Sequence, residues 1–227
     1  AASDVYKRQF GEDVYQRTLD IMVPFLASIR EETGVTLSDL NLGGGYGVRY
    51  TDEDEAINIP ARLAELAAYL KEETERLGLP MPRFLMEPGR SIVADAGMTL
   101  YTVGSVKRIP GYKQYAAVDG GMTDNPRYAL YQSRYTVYHA HKSGSMERFD
   151  VVGRCCESGD IIQPGVELPG DTCRGDILAV CTTGAYNYSM ASNYNRLPRP
   201  AVVMLTPDRI YEAVRRETFA DLTALDL

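Results

Sequence analysis

The sequence contains no tryptophan, two histidines and four cysteines in 227 residues. It has no stretch near the roughly 18 uninterrupted apolar residues that a membrane span needs, so no membrane partner is expected. Basic runs are lacking too. Lys plus Arg number 24 against 31 Asp plus Glu, a net charge of −7, so nothing could neutralise a phosphate backbone and nucleic acid is excluded as a partner. The first thirty residues hold no apolar segment behind a basic start, so no secretory signal is read and the cytoplasm is the expected compartment. Four cysteines are too few for a disulfide scaffold, and Cys155 and Cys156 are adjacent, which points to reduced thiols. Adjacent cysteines do not readily chelate one ion and no C-x-x-C occurs, so no metal site is expected.

What is present is the composition of an ordinary folded chain, 44% hydrophobic and 24% charged, with 20 glycines, 12 prolines and 16 tyrosines that imply many turns. Leu19, Met22, Leu26 and Ile29 recur at helical spacing, with Pro24 expected to kink or split that helix. Leu37 to Leu42 reads as a buried strand running into glycines. Asn58 and Pro60 signal the start of a second helix through Leu63, Leu66, Leu70 and Leu77, ending at Gly78. Arg83 to Met86 is a further short strand. Two strand–loop–helix units in succession predict parallel α/β structure over residues 10–96. Beyond Gly97 the segments 100–106, 115–118, 135–138, 149–152, 177–181 and 201–205 are rich in β-branched and aromatic residues and separated by turn formers, which predicts an all-β domain over 97–207. Residues 208–215 are expected to form a closing helix, followed by a tail to 227.

Several loops carry chemistry. Gly43-Gly44-Gly45-Tyr46-Gly47 can bring backbone N–H groups close to a phosphate, and a tight turn satisfies the same composition. Glu87-Pro88-Gly89-Arg90 ends the next strand, where α/β folds place ligand loops. Its arginine offers a donor fork to a carboxylate or phosphate, or is a surface residue on a helix cap. Asp119 to Arg127, followed by Tyr131, is a polar loop, with a solvated turn as the plain alternative. Tyr186 stands on a loop after the strand 177–181, where packing is the commoner role for a tyrosine. In Cys155-Cys156-Glu157-Ser158-Gly159-Asp160 a mostly protonated thiol suits a proton donor, and a buried structural thiol fits equally. Cys173 and Cys181 read as buried structural thiols, and His139 and His141 as surface residues.

Taken in order, NLGGGYG, EPGR, VDGGMTDNPRYALY, CCESGD and TGAYNYSMASNYN resemble the C-terminal portion of bacterial diaminopimelate decarboxylases, from Phe10 to the end. The resemblance implies the C-terminal part of an alanine-racemase-like (β/α)8 barrel followed by an all-β domain, and an enzyme that uses pyridoxal 5'-phosphate to convert meso-2,6-diaminopimelate to L-lysine and carbon dioxide. It implies a homodimer with shared active sites and a small amino-acid substrate. By motif, Gly43, Gly44, Gly45, Glu87, Pro88, Gly89 and Arg90 would hold the cofactor phosphate. Arg90, Arg127 and Tyr131 would bind substrate, Glu157 its ammonium, and Tyr186 both cofactor and substrate. Cys156 would be the proton donor, reaching into the partner's site.

The family's Schiff-base lysine, within a segment reading roughly Tyr-Ala-x-Lys-Ala, is missing here, and of its His-x-Gly-Ser-Gln motif only Gln9 stands. Asp4 to Gln9 matches a peptide encoded in one frame by a transposon end sequence used in sequencing adapters, so residues 1–9 are expected to be an artefact. A genuine exposed leader is the alternative. The chain is expected to be a fragment, inactive alone. The competing readings are an ornithine, arginine or carboxynorspermidine-type decarboxylase, and a non-catalytic subunit-interaction protein.

Overall fold

The computed structural model describes residues 14–227. The expectations for residues 1–9 and for Gln9 lie outside the described residues. The chain divides into two compact units, the first ending at Asp95 and the second running from Ala96 to Leu227.

In the first unit, Leu19, Val23 and Leu26 fall on one face of helix α1 (Val14–Thr33) and are buried. Pro24 lies on the exposed side of this continuous helix and does not split it. The carbonyl deprived of its proline N–H can be met by water there, so the apolar face is not interrupted. Strand β1 (Asp39–Gly44) pairs in parallel with β2 (Arg83–Glu87), with Leu40 opposite Phe84 and Gly44 opposite Glu87. Helix α2 (Ile59–Arg76) connects them. Its start follows the sequence signals: Asn58 Oδ1 accepts the Ala61 N–H at 3.1 Å, and Pro60 occupies the first turn, where no amide donor is missed. Leu66 and Leu70 of α2 join Leu19, Val23, Leu26 and Leu40 in one core. Arg90–Val93 forms the short helix α3.

The second unit is built on a six-stranded sheet. Its strands are β3 (Met98–Ile109), β4 (Lys113–Val118), β5 (Val137–His139), β6 (Met146–Val152), β7 (Ile161–Pro169) and β8 (Ile177–Cys181). Their spatial order is β5-β8-β3-β4-β6-β7, antiparallel throughout except for the parallel pair β4 and β6. Alternation decides which residues fill the core: Tyr101 and Val103 are buried while Leu100, just before them on the other face, is exposed. The Tyr135 N–H, just before edge strand β5, donates to Gln163 Oε1 of the other edge strand, β7, at 2.9 Å, so the sheet curls until its edges meet. The expected fold class, α/β followed by all-β, is what the structure shows.

Two segments differ from the sequence reading. Strand β7 contains Pro164 and ends at Pro169, and it is tolerated because it lies at an edge. The helix expected over 208–215 is instead strand β10 (Ile210–Val214), antiparallel to β9 (Val202–Leu205). The tight turn decides this. The Thr206 N–H donates to the Arg209 carbonyl at 3.0 Å, and the Arg209 N–H to Thr206 Oγ1 at 3.2 Å, which folds the segment back on β9 before a helix can start. All five residues of β10 are exposed. The closing helix comes later and is short, α6 (Phe219–Thr223), with Thr218 and Asp221 forming a reciprocal capping box. Glu217 anchors this tail: it accepts from Arg199 Nε at 2.7 Å, from the Arg199 N–H at 2.8 Å and from Asn193 Nδ2 at 2.6 Å.

Candidate active site

In the first unit the two expected ligand loops leave adjacent strand ends. Asn41 ties them, donating from Nδ2 to Glu87 Oε1 at 2.7 Å while its Oδ1 accepts the Gly43 N–H at 2.8 Å. Gly43 has a φ of +76°, a conformation that glycine adopts freely, and its N–H is already committed. It shapes the loop. Gly45 has a different reason to be glycine: a β-carbon there would lie 2.7 Å from Pro88 Cα and 2.8 Å from its Cβ, so the loop packs directly on the proline. Arg90 Nη1 donates to the Tyr50 hydroxyl, with the guanidinium 5.6 Å from that ring's centre.

In the second unit the loops 119–126 and 153–160 are joined by one buried carboxylate. Asp160 Oδ1 accepts the Met122 N–H and Oδ2 the Cys155 N–H, both at 2.6 Å. Gly121 makes room: a β-carbon there would come within 2.6 Å of Asp160. Asp124 supports the same loop, accepting the Gly121 N–H at 2.9 Å and the Tyr101 hydroxyl, and burial pushes its carboxyl up from the ordinary value. Burial also pushes up the Cys155 thiol. Cys155 is buried and Cys156 exposed, and all four cysteines are free. Cys156 takes a left-handed φ of +53°, which sets the two thiols in opposite surroundings. Asn195 Nδ2 donates to the Cys155 carbonyl at 2.6 Å, and the Tyr194 hydroxyl approaches Glu157 Oε2 at 3.4 Å.

Arg127 opens helix α4 (Arg127–Tyr131) and is 4% exposed. Its guanidinium lies 5.3 Å from the ring centre of Tyr131 and 5.3 Å from that of Tyr186. Tyr186 stands in a left-handed conformation, φ +71°, at the start of helix α5 (Asn187–Met190). Arg127 Nε is buried without a hydrogen-bond partner, and no carboxylate among the described residues forms an ion pair with it. Both aromatic rings stabilise the cation without neutralising its charge.

Of the residues singled out from sequence, this unit therefore assembles Arg127, Tyr131 and Tyr186 in one stack, and Cys156 and Glu157 on a loop joined through Asp160 to the loop preceding Arg127. Two readings are corrected. His139 is not a surface residue. Its side chain is 2% exposed, Nε2 lies 3.1 Å from Asp176 Oδ2, and Nδ1 accepts the Lys142 N–H at 2.9 Å. Burial works to raise the Asp176 carboxyl, but the Lys142 ammonium, the Cys173 N–H and His139 outweigh it and hold it below the usual range. Cys173 is not buried: it lies exposed in the turn that Asp176 closes by accepting its N–H at 2.8 Å. Sequence reasoning placed Asn41, Asp160 and Asn195 inside its motifs but gave them no role. Each acts through a contact distant in the chain or through backbone amides, for which no local pattern exists. Among the described residues no group of His, Cys, Asp or Glu could hold a metal ion, and no helix is long and apolar enough to cross a membrane.

Comparison with known proteins gives this geometry a family. Residues 5–184 match the family described as "Pyridoxal-dependent decarboxylase, C-terminal sheet domain". The chain is 50% identical over 190 residues to the diaminopimelate decarboxylase of Bacillus subtilis, covering 83% of this chain and 43% of that protein. It superposes on the crystal structure of diaminopimelate decarboxylase from M. jannaschii with a TM-score of 0.86 at 31% identity, covering 97% of this chain and 50% of that one. The same enzyme in complex with L-lysine gives a TM-score of 0.82 at 32% identity, over 94% of this chain and 48% of that one. The chain spans about half the length of the relatives it matches, and by its matching sheet domain it belongs to the pyridoxal-dependent decarboxylases.

Proposed function

We propose that this chain is the C-terminal part of a diaminopimelate decarboxylase, acting in the cytoplasm as a homodimer on meso-2,6-diaminopimelate to give L-lysine and carbon dioxide. The observation that carries the reading is Arg127: a buried cation with no acidic partner among the described residues, stacked between two tyrosines that are themselves half-exposed. A buried charge is costly unless something pairs with it. The second carboxylate of diaminopimelate is a pairing group that ornithine and arginine lack.

The first unit suits pyridoxal 5'-phosphate. Gly45 adds no β-carbon where its loop closes on Pro88, and loops rich in glycine let backbone amides come close to a phosphate. Gly44, Gly45 and the backbone of Glu87, Pro88, Gly89 and Arg90 would hold that phosphate, with Gly43 supplying the turn. When bound, the cofactor supplies an electron sink for the pair left on the α-carbon as carbon dioxide departs.

The chain's own residues do the rest. The Arg90 guanidinium binds carboxylate, Arg127 and Tyr131 hold the distal carboxylate, Glu157 accepts a hydrogen bond from the substrate ammonium, and Tyr186 lines both substrate and cofactor. Cys156 holds a proton on Sγ, on an exposed turn fixed by Asp160 and Asn195, and delivers it in the partner's site to the carbon that lost its carboxylate. The test is Arg127→Ala in the full-length enzyme. The expected loss is on the order of 2 kcal/mol or more in kcat/KM for meso-diaminopimelate. Equal specificity of the unsubstituted enzyme for ornithine would overturn the reading.

A further inference from the structure

Arg127 does have one polar neighbour at the end of its guanidinium. Nη1 is directed at Met190 Sδ, 3.8 Å away. The sulfur is placed by the same turn that places the tyrosine: the Met190 N–H donates to the Tyr186 carbonyl at 3.1 Å, so α5 carries one face of the stack and its sulfur contact together. A thioether is among the weakest acceptors a side chain offers, it carries no charge, and it adapts its shape to a flat cation. A glutamine or glutamate of similar reach would bring an oxygen to the same donor. The oxygen of either would occupy Nη1, and that of glutamate would also neutralise the cation.

We propose that Met190 is a specificity-determining residue, whose neutral sulfur holds the Arg127 guanidinium in place between Tyr131 and Tyr186 while keeping its charge for the carboxylate of a dicarboxylic substrate. The inference rests on the reading of Arg127 given above and deepens it. A strong acceptor in place of Met190 competes with that carboxylate and shifts the site towards ligands whose distal end is an amine.

The experiment compares Met190→Glu, Met190→Gln and Arg127→Ala in the full-length holoenzyme. Titration calorimetry gives affinities for L-lysine, which keeps the distal carboxylate, and for cadaverine, which lacks it, and steady-state kinetics gives KM and kcat for meso-diaminopimelate. Met190→Glu is expected to raise KM for meso-diaminopimelate about tenfold, with a smaller change in kcat, and to narrow the affinity ratio of L-lysine to cadaverine by a similar factor. Met190→Gln is expected to move the ratio in the same direction by about threefold, and it decides the question if the glutamate variant does not fold. A purely structural role would weaken both ligands alike and leave the ratio unchanged. An unchanged ratio in the Met190 variants, with the ratio lost in Arg127→Ala, overturns the role of Met190 and leaves that of Arg127 standing. An unchanged ratio in Arg127→Ala removes the underlying reading and Met190 with it.

Discussion

A β-carbon on Gly153 would overlap both carboxylate oxygens of Asp160, so the backbone of one residue is pressed against the charge of the other. The Gly153 N–H also donates to the Asp160 carbonyl at 2.9 Å, closing the 153–160 loop upon itself. The carboxylate then reaches across to the Met122 N–H, so the loop that carries Cys156 and the loop that leads to Arg127 move as one body.

Replacing that carboxylate is expected to undo both loops. Asp160→Asn keeps the shape but has one acceptor oxygen where two are used, so a buried N–H is stranded at a cost of about 1–3 kcal/mol. Gly153→Ala should destabilise the fold by steric overlap. Urea unfolding gives the stability loss, and the rate at which Cys155 reacts with iodoacetamide should rise in both variants. Unchanged protection of Cys155 would show that Asp160 is not the lock.

The two adjacent thiols should separate cleanly in function. In the full-length enzyme Cys156→Ala is expected to lower kcat by about 10² to 10⁴, the usual worth of a positioned acid. Cys155→Ala removes a buried thiol and should cost far less activity. Equal losses from the two substitutions would contradict the assignment.

How much of this was legible beforehand depended on the range of the forces involved. Helix α2 was readable because Asn58, Pro60 and Gly78 act within a few residues of where they stand. Strand β8 was readable because Ile177 to Cys181 is short, apolar and bounded by turns. Strand β10 was not, since Ile210, Ala213 and Val214 also fit a helix and only the pairing with β9 settles the matter. At the site, the glycines and the cysteines announce themselves by type. Asp160, Asn195 and Met190 do not, because an aspartate holding amides of two loops, an asparagine forty residues from the carbonyl it grips, and a methionine beside an arginine have no signature in sequence.

Acid should release the tail. The Arg199 guanidinium, then the Arg199 N–H and Asn193, hold the Glu217 carboxyl down to about 2. A lowered carboxyl stabilises the fold fully above its ordinary range and loses that contribution as pH falls through about 4.5 towards 2. Proteolysis or hydrogen exchange across residues 193–227 should therefore quicken over that window. Glu217→Gln should be loose already at neutral pH and lose most of the dependence.

Gly45→Ala offers a test of the cofactor cradle. The added methyl must push the loop away from Pro88, and the expected outcome in the full-length protein is weaker retention of pyridoxal phosphate, read from its visible absorbance after gel filtration. Retention equal to that of the unsubstituted protein would place the phosphate elsewhere. The 227-residue chain alone is expected to release no carbon dioxide from meso-diaminopimelate. Of the lysines among the described residues, Lys113 and Lys142 are engaged by Asp150 and Asp176 at 2.6 and 2.7 Å, Lys71 lies beside Glu75 on α2, and Lys107 is exposed on β3.

The β9–β10 ribbon has a practical consequence. It is only two strands wide, with Val203, Leu205 and Ile210 more than half exposed. Such a ribbon offers open backbone edges and an apolar surface to any similar strand it meets. A concentrated preparation of this chain by itself should therefore become turbid through strand-to-strand aggregation, and a lysine at Leu205 or Ile210 should keep it clear.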